Sequence, residues 1–222
     1  MNAAAPTVVP ILATPFGVVP VPPAASLNPV LGTVLRARAE ADRDPARRPS
    51  PLCYRGREDL LDWPEPSVQQ LAGEMLRGVY SIVAAVNSFT DAQLRSFAPQ
   101  ARASFTIVSQ NGAVSATLHP LTAWCGIYCV EAPPAAPERR DSGALRLYES
   151  RLGTMFVDAT NTVMRLPFMP GHYVWTPVPG QMAVFPASLT HEIGLVRGAG
   201  ELILVTMRVR FVAPGQTGWS TW

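Results

Sequence analysis

The sequence predicts a mainly β chain with flanking helices, an α+β arrangement in which a sandwich or barrel is covered on one side by two helices. Three observations predict it. Apolar residues recur at helical spacing only within the first hundred residues, seven short β-rich runs follow from Ser104 onward, and turn signals separate those runs. With 222 residues, 48% hydrophobic and 15% charged, the chain can bury one sizeable core. It is read as a single domain over 1–222, with an arm and supporting helices over 1–100 and a barrel core over 101–222.

In chain order, Ile11 to Val21 is apolar and punctuated by proline, which suits an edge strand or extended arm. Asn28-Pro29 reads as an N-cap and first helical residue, followed by the stripe Val30, Leu31, Val34 and Leu35. That helix is expected to fade into a solvated loop across the charged run Arg36 to Arg48. Asp62, Pro64 and Pro66 introduce a second helix, in which Val68, Leu71, Met75, Val79, Ile82, Val83 and Val86 recur at spacings suited to packing on a sheet. The β-rich runs are Phe105–Ser109, Ala113–His119, Trp124–Val130, Ala144–Glu149, Tyr173–Thr176, Met182–Phe185 and Glu201–Phe211. Asn111-Gly112, Pro133–Pro137, Asp141–Gly143 and Pro179-Gly180 mark turns between them.

Composition excludes several functions. No lysine occurs anywhere, so Schiff-base chemistry, pyridoxal phosphate anchoring and a Walker-type phosphate loop are all ruled out. A formal charge of +2, with no arginine cluster among aromatics, gives no nucleic-acid footprint. The apolar N-terminus is broken by six prolines and lacks a basic leader, so no membrane or secretory segment is expected and the chain reads as cytoplasmic. Heavy use of Ala, Pro, Arg and Val is the composition of a GC-rich bacterial genome. Cys53, Cys125 and Cys129 form an odd set without a CxxC pair, so reduced thiols are expected. Cys125 and Cys129 share one strand face, too far apart to bond within one extended strand.

Of the three histidines, His119 ends a strand before Pro120, His172 reads as a surface loop residue, and His191 opens a β-rich segment. A lone histidine is ordinarily structural. The surrounding pattern changes that. Leu60-Leu61-Asp62-Trp63-Pro64, Thr117-Leu118-His119-Pro120, Cys125-Gly126-Ile127-Tyr128-Cys129-Val130, Gly143 to Arg151, and Phe185 to His191 stand in this order across nearly the whole chain. They resemble the LLDWP, HxHP, SGVYY, GxLxFxDPR and FPSxLxH segments of a 2-oxoglutarate/iron(II) oxygenase family. The resemblance implies a double-stranded β-helix, a jelly-roll or cupin-like barrel with the N-terminal helices packed on one sheet. It also implies two iron ligands, His119 and the distal His191.

The remaining family positions are altered. Thr117 stands where a first histidine ligand is expected, and a neutral hydroxyl is a poor ligand for ferrous iron. Cys129 replaces the tyrosine that helps hold oxoglutarate. Leu202 and Leu204 replace the expected arginine and small hydroxyl residue on one strand face. Leaving a dicarboxylate against them costs several kcal/mol of unpaired charge. Ordinary use of 2-oxoglutarate as co-substrate is therefore doubtful. Arg208 lies six residues along from Leu202, roughly 20 Å at β rise, too far to replace the lost arginine; Arg151 and Arg210 are further candidates with nothing in the sequence to favour them.

The candidate catalytic set is His119, His191, Thr117, Cys129 and Glu149, with Cys125 as a second thiol and Asp158 and Glu192 as lesser acids. Three functions follow. The first is a repurposed, non-oxidative enzyme of bacterial specialised metabolism, a cyclase or isomerase using the two histidines on a small molecule. The second is an Fe(II) oxygenase with atypical ligation, His119 and His191 holding the ion and Glu149, water or substrate completing the sphere. The third is a non-catalytic binding protein on the same fold. The expected cofactor is thus either none or Fe(II), and a homodimer is left open.

Overall fold

A computed structural model describes residues 10, 13–134, 141–148, 164, 166–168 and 171–215. After strand β1 (Gly17–Pro20), helix α1 (Ala24–Ala41) and strand β2 (Cys53–Arg55) come helices α2 (Pro66–Val86) and α3 (Asp91–Ser96). Strands β3 (Ala98–Ser109), β4 (Val114–Thr117), β5 (Trp124–Glu131), β6 (Leu145–Tyr148), β7 (His172–Trp175), β8 (Gln181–Pro186), β9 (His191–Ile193) and β10 (Glu201–Val212) follow. They form a six-stranded sheet in the order β1-β8-β5-β10-β3-β2 and a four-stranded sheet in the order β4-β9-β6-β7, with antiparallel pairing throughout.

Strand alternation divides the interior into two cores. On the outer face of the large sheet, Phe105, Tyr128, Val205 and Met207 pack with Leu31 and Leu35 of α1 and Val68, Leu71, Met75 and Val79 of α2. Between the sheets lie Cys125, Ile127, Cys129, Phe185, Leu202 and Leu204 from the large sheet, with Leu145, Leu147 and Ile193 from the small one. This is the double-stranded β-helix, with the supporting helices on one sheet.

The second helix follows its apolar spacing. Pro66 occupies the first turn, where its missing N–H has no partner to lose. At Gly78 an added Cβ would collide with the Met182 methyl, so this glycine sets how closely α2 approaches β8. The Leu60–Asp62 turn is a short 3-10 helix that delivers Trp63 onto the Phe105 ring, 5.7 Å between centroids. Arg38 of α1 stacks over that indole at 4.7 Å.

The first helix corrects the sequence reading. It begins at Ala24 rather than Pro29 and runs to Ala41, through much of the charged run assigned to a loop. Asn28 is not its N-cap. Its amide donates to the Val130 carbonyl at 2.7 Å and its side-chain oxygen accepts from the Tyr128 hydroxyl at 2.5 Å, tying α1 to β5. That long-range pair outweighs the local capping preference, and Arg36 extends the docking through Glu131 and Glu201, each at 2.7 Å. Strand β3 also begins six residues before Ser104, and α3 and β2 are additional elements. The proline-rich arm does supply an edge strand, β1.

Candidate active site

Two chain segments deliver the histidines to one place. Strand β4 ends at Thr117, which pairs with His191 at the start of β9. Beyond it, the His119 N–H donates to the Ala187 carbonyl at 3.1 Å, and the Ala187 N–H donates to that of Ala123 at 3.0 Å. These bonds hold the Leu118–Pro120 loop against the turn that precedes His191. The imidazole centroids of His119 and His191 lie 5.1 Å apart at 55°.

Their protonation follows from the surroundings. His191 is buried, with its Nδ1 3.0 Å from the Leu189 carbonyl. A carbonyl can only accept, so Nδ1 carries the proton and Nε2 presents a lone pair. Phe185 packs edge-on against this ring at 5.1 Å. Burial lowers the pKa of His191, against the opposing effect of its carbonyl bond. His119 is half-buried, and its Nε2 has no hydrogen-bond partner among the described residues. Burial, then the nearby His191 and Arg208, lower His119 to about 4. Both rings are therefore neutral near pH 7.

The pair opens onto a cavity of about 300 Å³ that Thr117, Thr206, Ile127 and Leu204 also line. Its size suits a small molecule. The structure thus brings Thr117, His119 and His191 together. The thiol nearest to them belongs to Cys125, whose sulfur and a nitrogen of each histidine lie within 4.8 Å of one another. Cys129, the thiol favoured in the candidate set, sits four residues further along β5, about 13 Å away, paired with Leu204. Burial pushes both thiols up to about 12, so neither is a ready nucleophile.

Leu202 and Leu204 are buried at 1% and 2% exposure on the inner face of β10, beside Cys129. No cation occupies that strand face until Arg208, which stands opposite Cys125 and pairs with Glu58; Arg102 lies 3.9 Å from the same carboxylate. Arg208 is therefore beside the histidines rather than at the lost anchor. Arg210 bonds Gln100 at 2.5 Å. Glu192 is held by Arg146 at 3.1 Å. His172 is exposed, at the start of β7 rather than in a loop. Glu149, Arg151 and Asp158 lie outside the described residues.

The donors test what the fold can hold. Two neutral imidazoles, one with an orphaned buried nitrogen, fit a transition-metal ion, and the Cys125 thiol stands where a third donor can reach. A ferrous ion with the usual carboxylate or third imidazole does not find that ligand among the described residues. The strand face that would hold 2-oxoglutarate in the usual way does not fit a carboxylate at all.

No protein-family model and no curated protein matches the chain. Solved structures do. A prolyl-4-hydroxylase from Pseudomonas putida superimposes with a TM-score of 0.55 at 15% identity, over 88% of this chain and 91% of that one. HygX from Streptomyces hygroscopicus, solved with nickel and 2-oxoglutarate bound, gives 0.55 at 13% identity, over 93% and 86%. SnoN, a non-heme α-ketoglutarate-dependent epimerase from nogalamycin biosynthesis, gives 0.55 at 13% identity, over 89% and 78%. The chain therefore has the double-stranded β-helix fold of the 2-oxoglutarate/iron(II) oxygenases, in a form whose sequence has diverged far from these three.

Proposed function

We propose that this protein is a small-molecule enzyme of specialised metabolism that uses His119 and His191 for non-oxidative acid–base chemistry, an isomerisation or cyclisation. The observation that carries the proposal is the facing pair of neutral imidazoles in a cavity whose oxoglutarate-binding strand face is replaced by Leu202 and Leu204.

The chemistry follows from the two rings. His191 offers the lone pair of Nε2, and its Nδ1–H bond to the Leu189 carbonyl fixes the tautomer and orients the ring. His119, in the tautomer protonated at Nε2, offers a donor that no group among the described residues satisfies. A carbonyl compound between them would give a C–H proton to His191 while His119 donates to the oxygen that becomes enolic. Burial makes an isolated imidazolium costly at His191. Proton transfer is therefore favoured only as negative charge develops on the substrate beside it, which is the condition for an enolisation. Thr117, aligned with His191, can orient a substrate hydroxyl.

The test is deuterium exchange. Protein incubated in D₂O with an extract of small metabolites should shift the mass of its substrate by one unit, and the His119→Ala/His191→Ala double variant should not. A second reading, a metal-dependent enzyme with atypical ligation, is favoured by the His119–Cys125–His191 cluster. Anaerobic reconstitution with ferrous iron separates the two. Tight iron binding with succinate released from oxoglutarate upon adding oxygen would refute the non-oxidative reading.

A further inference from the structure

We propose that Arg55 is the anion anchor of the barrel cavity, binding the carboxylate or phosphate group of the ligand whose other end meets His119 and His191. The proposal rests on this cavity being the ligand site, and it holds for either chemistry considered above.

Strand β2 points Arg55 inward. Tyr54 belongs to the outer core with the helices, while Cys53 belongs to the core between the sheets, so Arg55 shares the inner side with Cys53. The register agrees: Arg55 pairs with Thr106, which pairs with Leu204, which pairs with Cys129. Arg55 thus ends the row of inner-face residues that carries the lost oxoglutarate contacts. It lies two strands beyond β10. The Cys53 thiol next to it is pushed up by burial and held back by this guanidinium. The backbone beyond Arg55 is pinned, because the Gly56 N–H donates to the Phe105 carbonyl at 2.7 Å.

Charge balance singles Arg55 out. The cavity carries four charged residues: Arg47, Arg55, Glu58 and Glu192. Arg47 has Asp44 at 3.4 Å, Glu58 has Arg208 and Arg102, and Glu192 has Arg146. Arg55 has no carboxylate partner among the described residues. Arg55 is half-buried at the sheet edge, and its guanidinium can receive an arriving oxyanion through a two-pronged hydrogen-bonded pair. Ser104, Thr106 and Thr206, on the same inner face, add hydroxyl donors around it.

Geometry also bounds the ligand. The row of Arg55 and Leu204 is four residues from the row of Arg208 and Cys125, where the histidines sit, about 13 Å along the strands. The anionic group is therefore several bonds from the atoms that react.

The experiment is calorimetric titration of the wild-type protein, Arg55→Gln, Arg55→Lys and, as a surface-charge control on α2, Arg77→Gln at low ionic strength. The probes are succinate, glutarate, 2-oxoglutarate and inorganic phosphate, with glutaramide as the uncharged control. The wild-type protein should bind at least one anion and not glutaramide. Arg55→Gln should weaken that binding roughly tenfold to a hundredfold, Arg55→Lys less, and Arg77→Gln only slightly. Binding confined to the acids assigns a carboxylate and binding of phosphate a phosphate ester, while 2-oxoglutarate alone assigns the anchor to a co-substrate. Equal binding by Arg55→Gln, or no binding of any probe by the wild-type protein, overturns the inference. Neither result touches the role of the histidines, which the deuterium exchange tests separately.

Discussion

Lowering the pH should unfold this protein partly through one imidazole. His119 titrates near 4 in the folded chain against 6.5 in an exposed one, mainly because burial disfavours its charged form, with His191 and Arg208 adding to the effect. Between those values the unfolded chain binds a proton that the folded chain does not, so stability falls as pH falls. The contribution is complete above about pH 6.5 and gone below about 4. At about 1.4 kcal/mol per tenfold, the displacement is worth roughly 3 kcal/mol at most. The ring is only half-buried, and solvent screening reduces this to about 2 kcal/mol. The assay is urea unfolding of chelator-treated protein across this interval, for the wild type and for His119→Gln. Carboxylates such as Asp42 also titrate on acidification, but they do so equally in both proteins. The wild type should therefore lose about 2 kcal/mol more than the variant between pH 7 and 4. Identical pH dependence, or an NMR titration of His119 centred near 6.5, would refute the burial argument.

Two other expectations concern the scaffold. Tyr128→Phe removes the buried hydroxyl that donates to Asn28 and should cost about 1–2 kcal/mol in chemical denaturation, by loosening α1 from β5; an unchanged midpoint would mean that Arg36 and its two glutamates dominate that docking. The three cysteines are all buried, and burial raises Cys125 and Cys129 to about 12. A disulfide reagent should therefore titrate all three in denaturant while native protein reacts slowly. Rapid native labelling of Cys125 would show that the histidine cavity opens to solvent.

The two helices and most strands were legible because each leaves a local trace, whereas the pairing of His119 with His191 rested on the family resemblance. Val68 to Val83 of α2 recur on one face, and the strands alternate between turn residues such as Asn111, whose φ of 64° suits the residue's tolerance for that region. The start of α1 was not legible, because Asn28 satisfies a capping rule locally yet spends its amide on Tyr128 and Val130, about a hundred residues away in sequence. Strand β2 was missed for a different reason. Three residues between a proline and a charged stretch carry no periodicity, and only pairing with β3 makes them a strand. With it went any means of seeing that Arg55 faces inward.

Residue identity alone excluded lysine chemistry, while the kind of barrel and the greasy substitutions at 202 and 204 came from motifs whose order and spacing resemble a known family. Tertiary structure decided which groups share the cavity. The 5.1 Å between His119 and His191, the choice of Cys125 over Cys129, and the charge balance that leaves Arg55 without a carboxylate partner among the described residues depend on pairings across strands distant in sequence. Burial, which makes both imidazoles neutral, exists only once those strands close.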